Sequence, residues 1–320
     1  MRILVTGGAG FIGSNFIHHM AASYPDREIV NLDLLTYAAN LKNLEGMEKN
    51  PNYTFIRGDI CDRDLLQTTL DRFPADAIIH FAAESHVDRS IADASVFVRT
   101  NLLGTYTLLE AARRHDIPRF IHISTDEVYG SAPGGSFRES DPLAPSSPYS
   151  ASKAGSDLLA LSYFTTYHLP VIVTRCTNNF GPYQHPEKLI PRFITNLIEG
   201  KKVPVYGTGK NVRDWIHVTD HCRALDLLLE RGGAGEIYNI GGGNERTNLQ
   251  ITDLILGLLG KDTSMVEYVA DRPGHDFRYS LDTSKIRELG WQPGQSFEKA
   301  LRETVDWYLR NEWWWRPFRE

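Results

Sequence analysis

Two side chains that could move a proton, Tyr149 and Lys153, stand four positions apart. On a helix, this spacing places the phenol and the ammonium on the same face. A nearby positive charge favours a phenolate, so we expect Lys153 to lower the pKa of Tyr149 from about 10 towards neutrality. Such a phenolate can take the proton of an alcohol while a hydride leaves the same carbon. The spacing recurs at Tyr206 and Lys210, but the glycines between them indicate a turn, so only the first pair predicts an acid–base centre.

A pair of adjacent carboxyl groups, Asp126 and Glu127, follows Thr125 at the end of a short β-branched run. Oxidation or epimerisation at one alcohol does not need two carboxyl groups. A dehydration does, because one group removes a carbon-bound proton while another protonates the departing hydroxyl. The pair therefore favours an elimination, with a solvated acidic loop as the alternative interpretation.

A glycine-rich segment at residues 5–13 joins the first expected strand to the first expected helix. Gly7, Gly10 and Gly13 follow the pattern Gly-x-x-Gly-x-x-Gly. These glycines allow a tight turn, close approach of the backbone to a pyrophosphate and close helix-to-strand packing. The phosphates would meet the positive end of the helix. The segment predicts a dinucleotide-binding site.

An acidic residue, Asp33, ends the second expected strand, 20 positions after Gly13. At that place a carboxylate accepts hydrogen bonds from the adenosine ribose hydroxyls. A 2′-phosphate would be repelled by the same charge. We therefore expect NAD as the cofactor and not NADP.

Short β-branched runs alternate with longer helical patterns through the first half of the chain, which is typical of βαβ units. We expect an α/β fold with a doubly wound parallel Rossmann sheet, whose ligands bind at the carboxyl edge of the strands. The expected strands are residues 3–5, 29–32, 54–57, 77–81, 120–124 and 171–175, and the expected helices are 12–23, 64–73, 95–115 and 149–167.

The pattern changes after residue 176, where prolines and glycine turns become frequent. We expect an NAD-binding Rossmann domain over residues 1–176, which also carries the catalytic residues. A smaller mixed α/β lobe over 177–320 would bind the substrate, with some crossing of the chain between the two. Its expected helices are residues 189–199, 220–230, 249–259 and 297–311.

The composition limits the classes of partner. A net charge of −6 gives no general attraction to nucleic acid or to anionic lipid. Apolar runs are far shorter than the roughly 20 residues of a membrane helix. The three cysteines show no metal-site spacing, so we expect no metal. The first residues run into a strand and not into a signal peptide, and we expect a cytoplasmic protein with a small-molecule substrate.

Residues 124–130, Ser-Thr-Asp-Glu-Val-Tyr-Gly, combined with Tyr149 and Lys153, resemble the dTDP-glucose 4,6-dehydratases of the extended short-chain dehydrogenase/reductase family. The similarity spans nearly the whole chain. Phe180 stands where tyrosine is common in that family, which should matter little for the mechanism. Further similar segments are residues 82–90, 175–183, 186–191, 211–215, 239–242 and 271–276.

The resemblance implies a reaction that begins and ends with hydride transfer. Tyr149, assisted by Lys153, would deprotonate the glucose 4-hydroxyl during oxidation at C4. Glu127 would remove the C5 proton, Asp126 would protonate the departing C6 hydroxyl, and Thr125 would lie near the C4 oxygen. Hydride would then return to C6, so the implied NAD stays bound through each turnover. The product would enter deoxysugar biosynthesis of the rhamnose type.

The resemblance also implies the binding residues and the assembly. Arg213 and Arg272 would bind phosphate oxygens of dTDP-glucose, with structural salt bridges as the alternative. A homodimer would form through residues 95–115 and 149–167. The expected cofactor contacts are Gly7, Gly10, Phe11, Ile12, Gly13, Asp33, Leu34, Leu35, Thr36, Asp59, Ile60, Phe81, Ala82, Ala83, Ser85, Thr100, Tyr149, Lys153 and Asn179. The expected substrate contacts are Ser85, Thr125, Asn178, Lys188, Leu189, Pro204, Tyr206, Arg213, Asn248, Arg272 and His275.

Two other functions share part of these features. A sugar-nucleotide 4-epimerase, or another NAD-dependent sugar-nucleotide dehydratase, would have the same fold, NAD and the Tyr149 and Lys153 pair. The carboxyl pair argues against the epimerase. A non-catalytic NAD-sensing regulator would need neither the tyrosine and lysine nor the carboxyl groups.

Overall fold

The protein is described by a computed structural model that covers residues 1–132, 134–271 and 274–319. Its strands are β1 Arg2–Thr6, β2 Glu28–Asp33, β3 Tyr53–Arg57, β4 Ala77–His80, β5 Phe120–Thr125, β6 Val171–Cys176, β7 Asn178–Phe180, β8 Val203–Tyr206, β9 Val212–Arg213, β10 Trp215–His217, β11 Ile237–Ile240, β12 Arg246–Thr247 and β13 Val266–Val269.

The α-helices are α1 Phe11–Ser23, α2 Arg63–Arg72, α3 Val87–Ala92, α4 Ser95–Phe97, α5 Thr105–Arg114, α6 Pro148–Tyr167, α7 Leu189–Ile198, α8 Val218–Arg231, α9 Asn248–Leu258, α10 Ser284–Glu288, α11 Phe297–Arg310 and α12 Glu312–Trp315. A π-helical segment, Val98–Gly104, joins α4 to α5. Short 3-10 turns are Leu41–Leu44, Met47–Lys49, Asp126–Tyr129, Thr263–Met265 and Arg316–Phe318.

The main sheet has seven parallel strands in the order β3-β2-β1-β4-β5-β6-β11. Its strands are rich in Ile and Val and are buried on both faces, as helix-covered parallel sheets require. Alternate residues of β1 enter two cores, one beneath α1 and α8 and the other beneath α2, α5 and α6. The doubly wound Rossmann sheet predicted from the sequence is confirmed.

The helix α6 positions the proton-transfer pair and is fixed at both ends. Ser147 and Ser150 form a capping box at its start, and Pro148 occupies its first turn. His168 ends it with a left-handed backbone at φ 58°. The side chains at 149 and 153 therefore project from its first turns, next to the carboxyl ends of β5 and β6.

The chain crosses back to the main sheet after residue 176. Strand β11 pairs in parallel with β6, and α8 packs against α1. Helix α10 packs against β11, and most of the other C-terminal elements build a smaller lobe around α7, α9 and α11 with the parallel pair β8 and β13. Within the part of the chain that the structure describes, no helix has the length and apolar composition needed to span a membrane.

Candidate active site

Two adjoining cavities lie at the carboxyl edge of the main sheet. The first, of about 320 Å³, runs over the glycine turn towards α6, and the second, of about 520 Å³, extends into the smaller lobe. We call them the cofactor cavity and the substrate cavity. The residues that line both are Ser85, Glu127, Asn178, His185, Glu187 and Lys188.

The glycine turn is packed so closely that side chains would not fit. Gly7 has a left-handed backbone at φ 73°, and a Cβ there would lie 2.5 Å from the Ala82 nitrogen. A Cβ at Gly13 would lie 2.4 Å from the Gly7 carbonyl oxygen. The turn leads directly into α1, and the first residues of α1 line the cavity. Their backbone N–H groups have no partner within the helix. This cradle fits a pyrophosphate, as the sequence pattern predicts.

Asp33 lies at the end of β2 with its carboxylate fixed by the backbone. It accepts hydrogen bonds from the Ala9 nitrogen at 2.9 Å and the Leu35 nitrogen at 2.8 Å. Burial raises the pKa of Asp33, while these two hydrogen bonds lower it. Each oxygen keeps a further lone pair, so the carboxylate can also accept bonds from ribose hydroxyls.

Most residues expected to contact NAD line the cofactor cavity, and Leu35 does not. Leu35 has a left-handed backbone at φ 61° that turns its side chain into the core near α1. Its amide holds the Asp33 carboxylate, and its expected contact with the cofactor stays a prediction. The expected residues that line the cavity are Gly7, Gly10, Phe11, Ile12, Gly13, Asp33, Leu34, Thr36, Asp59, Ile60, Phe81, Ala82, Ala83, Ser85, Thr100, Tyr149, Lys153 and Asn179.

The structure differs from the sequence expectation on the pKa of Tyr149. Burial and the charge of Glu127 raise it well above its ordinary value, and a hydrogen bond with Thr125 lowers it only in part. The Lys153 ammonium instead donates to the Ile123 carbonyl oxygen at 2.7 Å. Burial lowers the pKa of Lys153 itself to about 8. In this arrangement the phenol keeps its proton.

The carboxyl pair lies on the 3-10 turn Asp126–Tyr129, which follows β5 directly. Thr125 caps this turn by accepting a hydrogen bond from the Glu127 nitrogen at 3.2 Å. Asp126 is buried, and its pKa is raised well above the ordinary value by burial and by the charge of Glu127. Arg213 lowers that pKa in part. The turn therefore places a protonated Asp126 beside Glu127. The side chain of Glu127 lines both cavities.

The substrate cavity brings together nearly all of the expected substrate contacts. Thr125 lines the cofactor cavity instead, and Arg272 lies outside the described residues. The expected residues that line the substrate cavity are Ser85, Asn178, Lys188, Leu189, Pro204, Tyr206, Arg213, Asn248 and His275.

Two cationic side chains of this cavity are held by backbone carbonyl groups. Arg213 donates to Val212 at 2.7 Å and to Asp276 at 2.9 Å, and its guanidinium lies over the Tyr279 ring. Lys188 donates to Ser85 at 2.9 Å. Among the residues that the structure describes, no carboxylate forms a salt bridge with Arg213, and part of the donor set of Arg213 is already occupied by the two carbonyl groups.

A polar wall between the cavities was not predicted from the sequence. Glu187 accepts a hydrogen bond from the Tyr37 hydroxyl at 3.1 Å and lies 3.4 Å from His86. His86 directly follows the expected contact Ser85, and Glu187 directly precedes the expected contact Lys188. Their position next to expected contacts was therefore the signal that could have found them. Other cavity residues that were not predicted from the sequence include Ala38, Ala39, Gly58, Glu84, Gln184, His185, Arg192 and Trp215.

Within residues 1–132, 134–271 and 274–319, no group of three or more His, Cys, Asp or Glu side chains could hold a metal ion.

Comparison with known proteins places this geometry among sugar-nucleotide enzymes. A family model described as GDP-mannose 4,6 dehydratase matches residues 4–304. The chain is 57% identical to a dTDP-glucose 4,6-dehydratase of Streptomyces niveus, over 100% of this chain and 96% of the relative.

Solved structures show the same fold over nearly the whole chain. DesIV, a dTDP-glucose 4,6-dehydratase from Streptomyces venezuelae with NAD and TYD bound, matches with a TM-score of 0.97 and 57% identity, over 99% of this chain and 100% of that one. A UDP-glucose 4-epimerase of Thermus thermophilus in complex with NAD matches with a TM-score of 0.90 and 31% identity, over 97% of this chain and 99% of that one.

Proposed function

The chain belongs to the GDP-mannose 4,6-dehydratase family, and from this we propose how its two cavities convert dTDP-glucose to dTDP-4-keto-6-deoxyglucose. The chain is an NAD-dependent hydro-lyase of the extended short-chain dehydrogenase/reductase type. Its product serves deoxysugar biosynthesis.

One observation supports this activity over epimerisation: Asp126 and Glu127 line the cofactor cavity together with Tyr149, and Glu127 also lines the substrate cavity. An epimerase of the same fold aligns at a TM-score of 0.90, so the fold alone does not choose between the two reactions. A 4-epimerisation needs proton transfer at one oxygen only. The protonated carboxyl group of Asp126 supplies what only an elimination requires, a proton for a departing hydroxyl.

The cofactor cavity fits NAD at three points. The glycine cradle fits the pyrophosphate, the Asp33 carboxylate fits the adenosine ribose, and the far end of the cavity reaches Tyr149 and Lys153. When bound, NAD would accept a hydride from sugar C4 and return it to C6, and the positive charge of its oxidised form would favour the phenolate of Tyr149. Asp33 excludes NADP by repelling its 2′-phosphate.

In the oxidation, Tyr149 takes the proton of the 4-hydroxyl, which requires that the phenol has first lost its own proton and reacts as the phenolate. Its hydrogen bond with Thr125 favours the phenolate, whereas burial and Glu127 oppose it. Lys153, bound to the Ile123 carbonyl oxygen, holds a cation near the start of α6. Thr125 therefore has two tasks, since it both caps the carboxyl-bearing turn and hydrogen-bonds to the phenol.

In the elimination, Glu127 removes the C5 proton that the 4-keto group has acidified. Asp126 donates its proton to the C6 hydroxyl, which leaves as water. The raised pKa of Asp126 keeps that proton available at neutral pH, because burial and the neighbouring charge of Glu127 disfavour the anion. Return of the hydride to C6 by NAD would close the cycle with no net change in redox state.

We assign binding of the sugar nucleotide to the substrate cavity. Lys188 and Arg213 are the cationic groups for the diphosphate, joined by Arg272 from outside the described residues. Asn178, Asn248 and the other expected contacts surround the remainder of the ligand.

The assembly and location extend the proposal. Exposed apolar side chains cluster on the helical segment around α5 and on α6, including Val98, Leu103, Leu158 and Tyr167. Two such helices from each of two subunits would bury these side chains in a homodimer. We place the enzyme in the cytoplasm, in deoxysugar biosynthesis of the rhamnose type.

The direct test supplies dTDP-glucose and UDP-glucose separately, without added reductant, and identifies the products by mass spectrometry and NMR. The expected result is loss of water from dTDP-glucose with no net consumption of NAD. Tyr149→Phe should abolish reduction of the bound nicotinamide. A galactose nucleotide as product would refute dehydration in favour of epimerisation.

A further inference from the structure

A buried arginine connects the two catalytic elements beneath the cavities. Arg175 lies on β6, paired in register with Ser124 at the end of β5, and is 2% exposed. Its guanidinium donates to the Tyr129 hydroxyl at 2.7 Å and to the Asp157 carboxylate at 2.9 Å. It thus spans two segments that are distant in the sequence.

On one side, Arg175 holds the turn that carries the carboxyl pair. Tyr129 is the last residue of that turn, two positions after Glu127, and its hydroxyl donates to the Asn239 side chain at 2.9 Å. The Tyr129 ring stacks on Phe137 with ring centroids 5.0 Å apart. The end of the turn is therefore fixed by a charge-assisted hydrogen bond as well as by packing.

On the other side, Arg175 holds the helix that carries the proton-transfer pair. Asp157 lies one helical turn after Lys153 on α6 and is fully buried. Burial alone would raise the pKa of Asp157, but hydrogen bonding from His122 and the charge of Arg175 keep it below its ordinary value. The ion pair with Arg175 is therefore formed at neutral pH.

We propose that Arg175 is a positioning residue for the dehydration, because it fixes the distance between the carboxyl-bearing turn and α6. Arg175 lines neither cavity and moves no proton itself. It acts through Tyr129 and Asp157, so that the sugar oxidised at Tyr149 already faces Asp126 and Glu127. The inference rests on the proposed function, since only a reaction with two separate proton-transfer centres needs this alignment.

The consequence is specific to one step. Loosening the turn leaves Tyr149 and Lys153 on α6, so oxidation at C4 continues. The carboxyl groups lose their alignment, so elimination slows. A misplacement of about 1 Å can cost about 10²-fold in rate. The oxidised intermediate and the reduced nicotinamide must then accumulate during turnover.

The test compares Tyr129→Phe with a matched control, Tyr163→Phe. Tyr163 is also a buried tyrosine and lies on α6, where its hydroxyl donates to Glu110 at 2.7 Å and does not contact the turn. With dTDP-glucose at saturation, Tyr129→Phe should lower kcat by about 10- to 100-fold with little change in KM. Its steady-state fraction of reduced nicotinamide, read by absorbance, should rise above that of the parent. Tyr163→Phe should keep the parental fraction even if its melting temperature falls equally.

Arg175→Lys is the second variant and decides the result if Tyr129→Phe does not fold. Its ammonium keeps a positive charge for Asp157 but lacks the planar fork that joins both partners. The same rise in reduced nicotinamide is expected. If Tyr129→Phe and Arg175→Lys both show the same steady-state fraction of reduced nicotinamide as the parent, the positioning role is overturned, whatever the stability of the two variants. Failure of the parent to make the 4-keto-6-deoxy product would instead overturn the proposed function, and the inference with it.

Discussion

Replacing Asp126 with asparagine should make the folded protein more stable while it stops the elimination. The folded state holds Asp126 protonated, because burial and Glu127 raise its pKa well above 3.8. The unfolded chain ionises the same group at about 3.8, so folding above that pH requires uptake of a proton. The cost grows by about 1.4 kcal/mol per pH unit until the folded pKa is reached.

The contribution of Asp126 to stability depends on pH, because its pKa differs between the folded and the unfolded state. A group whose pKa is raised on folding contributes full stability below the unfolded pKa and loses it as pH rises towards the folded pKa. Asparagine is neutral at every pH and has nearly the same shape. Asp126→Asn should therefore gain stability relative to the parent from about pH 4 upwards, by at most about 4 kcal/mol at about pH 7.

The assay is urea unfolding of both proteins at several pH values with NAD in excess, together with rapid mixing with dTDP-glucose. Elimination should slow by about 10²–10⁴, while the nicotinamide is still reduced in the first turnover. The reasoning is refuted if the difference in unfolding free energy does not change with pH, since Asp126 would then be ionised in the folded state. If Asp126→Asn turns over at the parental rate, Asp126 is not the acid that protonates the departing hydroxyl.

Three further results are expected. Glu127→Gln should slow entry of solvent deuterium at C5 by about 10²–10⁴ but leave C4 oxidation intact, and an equal loss of both would contradict its role as the base. Asp33→Ala should weaken NAD binding by on the order of 1.5–3 kcal/mol and reduce discrimination against NADP, as measured by calorimetry, with unchanged affinities excluding Asp33 from the site. His221, buried and hydrogen-bonded to Asn179, has its pKa lowered by burial from 6.5 to about 3. As pH falls from 6.5 to about 3, the free energy of unfolding of the parent should therefore decrease by about 1.4 kcal/mol more per pH unit than that of His221→Gln. If the two free energies of unfolding change in parallel with pH, His221 is not buried in its neutral form.

Local patterns predicted the first half of the fold because each strand and helix there has its own periodicity. The expected strands and helices up to residue 175 lie within a residue or two of those observed, apart from the start of the segment expected as one helix over 95–115, which contains a π-helical stretch. The place of β11 was not predicted, since Ile237–Ile240 is short and its position depends on pairing with β6, about 60 residues earlier. Pairing between distant segments leaves no periodic signal within either one.

The candidate site also contains residues that local sequence patterns predict and residues that they do not predict. The glycine turn, Asp33 and the carboxyl pair were found because their chemistry depends on residue type at fixed spacing. The contact between Tyr37 and Glu187 could not be predicted from the sequence, because it joins two loops and a polar loop residue has no periodic pattern of its own. The Leu35 side chain lies outside the cavity although Leu34 and Thr36 line it, because its left-handed backbone turns the side chain away, and sequence neighbourhood gives no sign of such a turn.

Burial explains why neighbouring groups of one cavity need different partners. Removal from water favours the neutral form of every ionisable group. For Asp126 the neutral form is the one that donates a proton, so burial assists its role directly. For Tyr149 the neutral form is inactive as a base, so burial opposes its role and only charge or hydrogen bonding can reverse the effect. The oxidation must therefore depend strongly on the hydroxyl of Thr125, whereas the elimination depends on exclusion of water from Asp126. Thr125→Val should accordingly slow reduction of the nicotinamide more than it slows the elimination that follows.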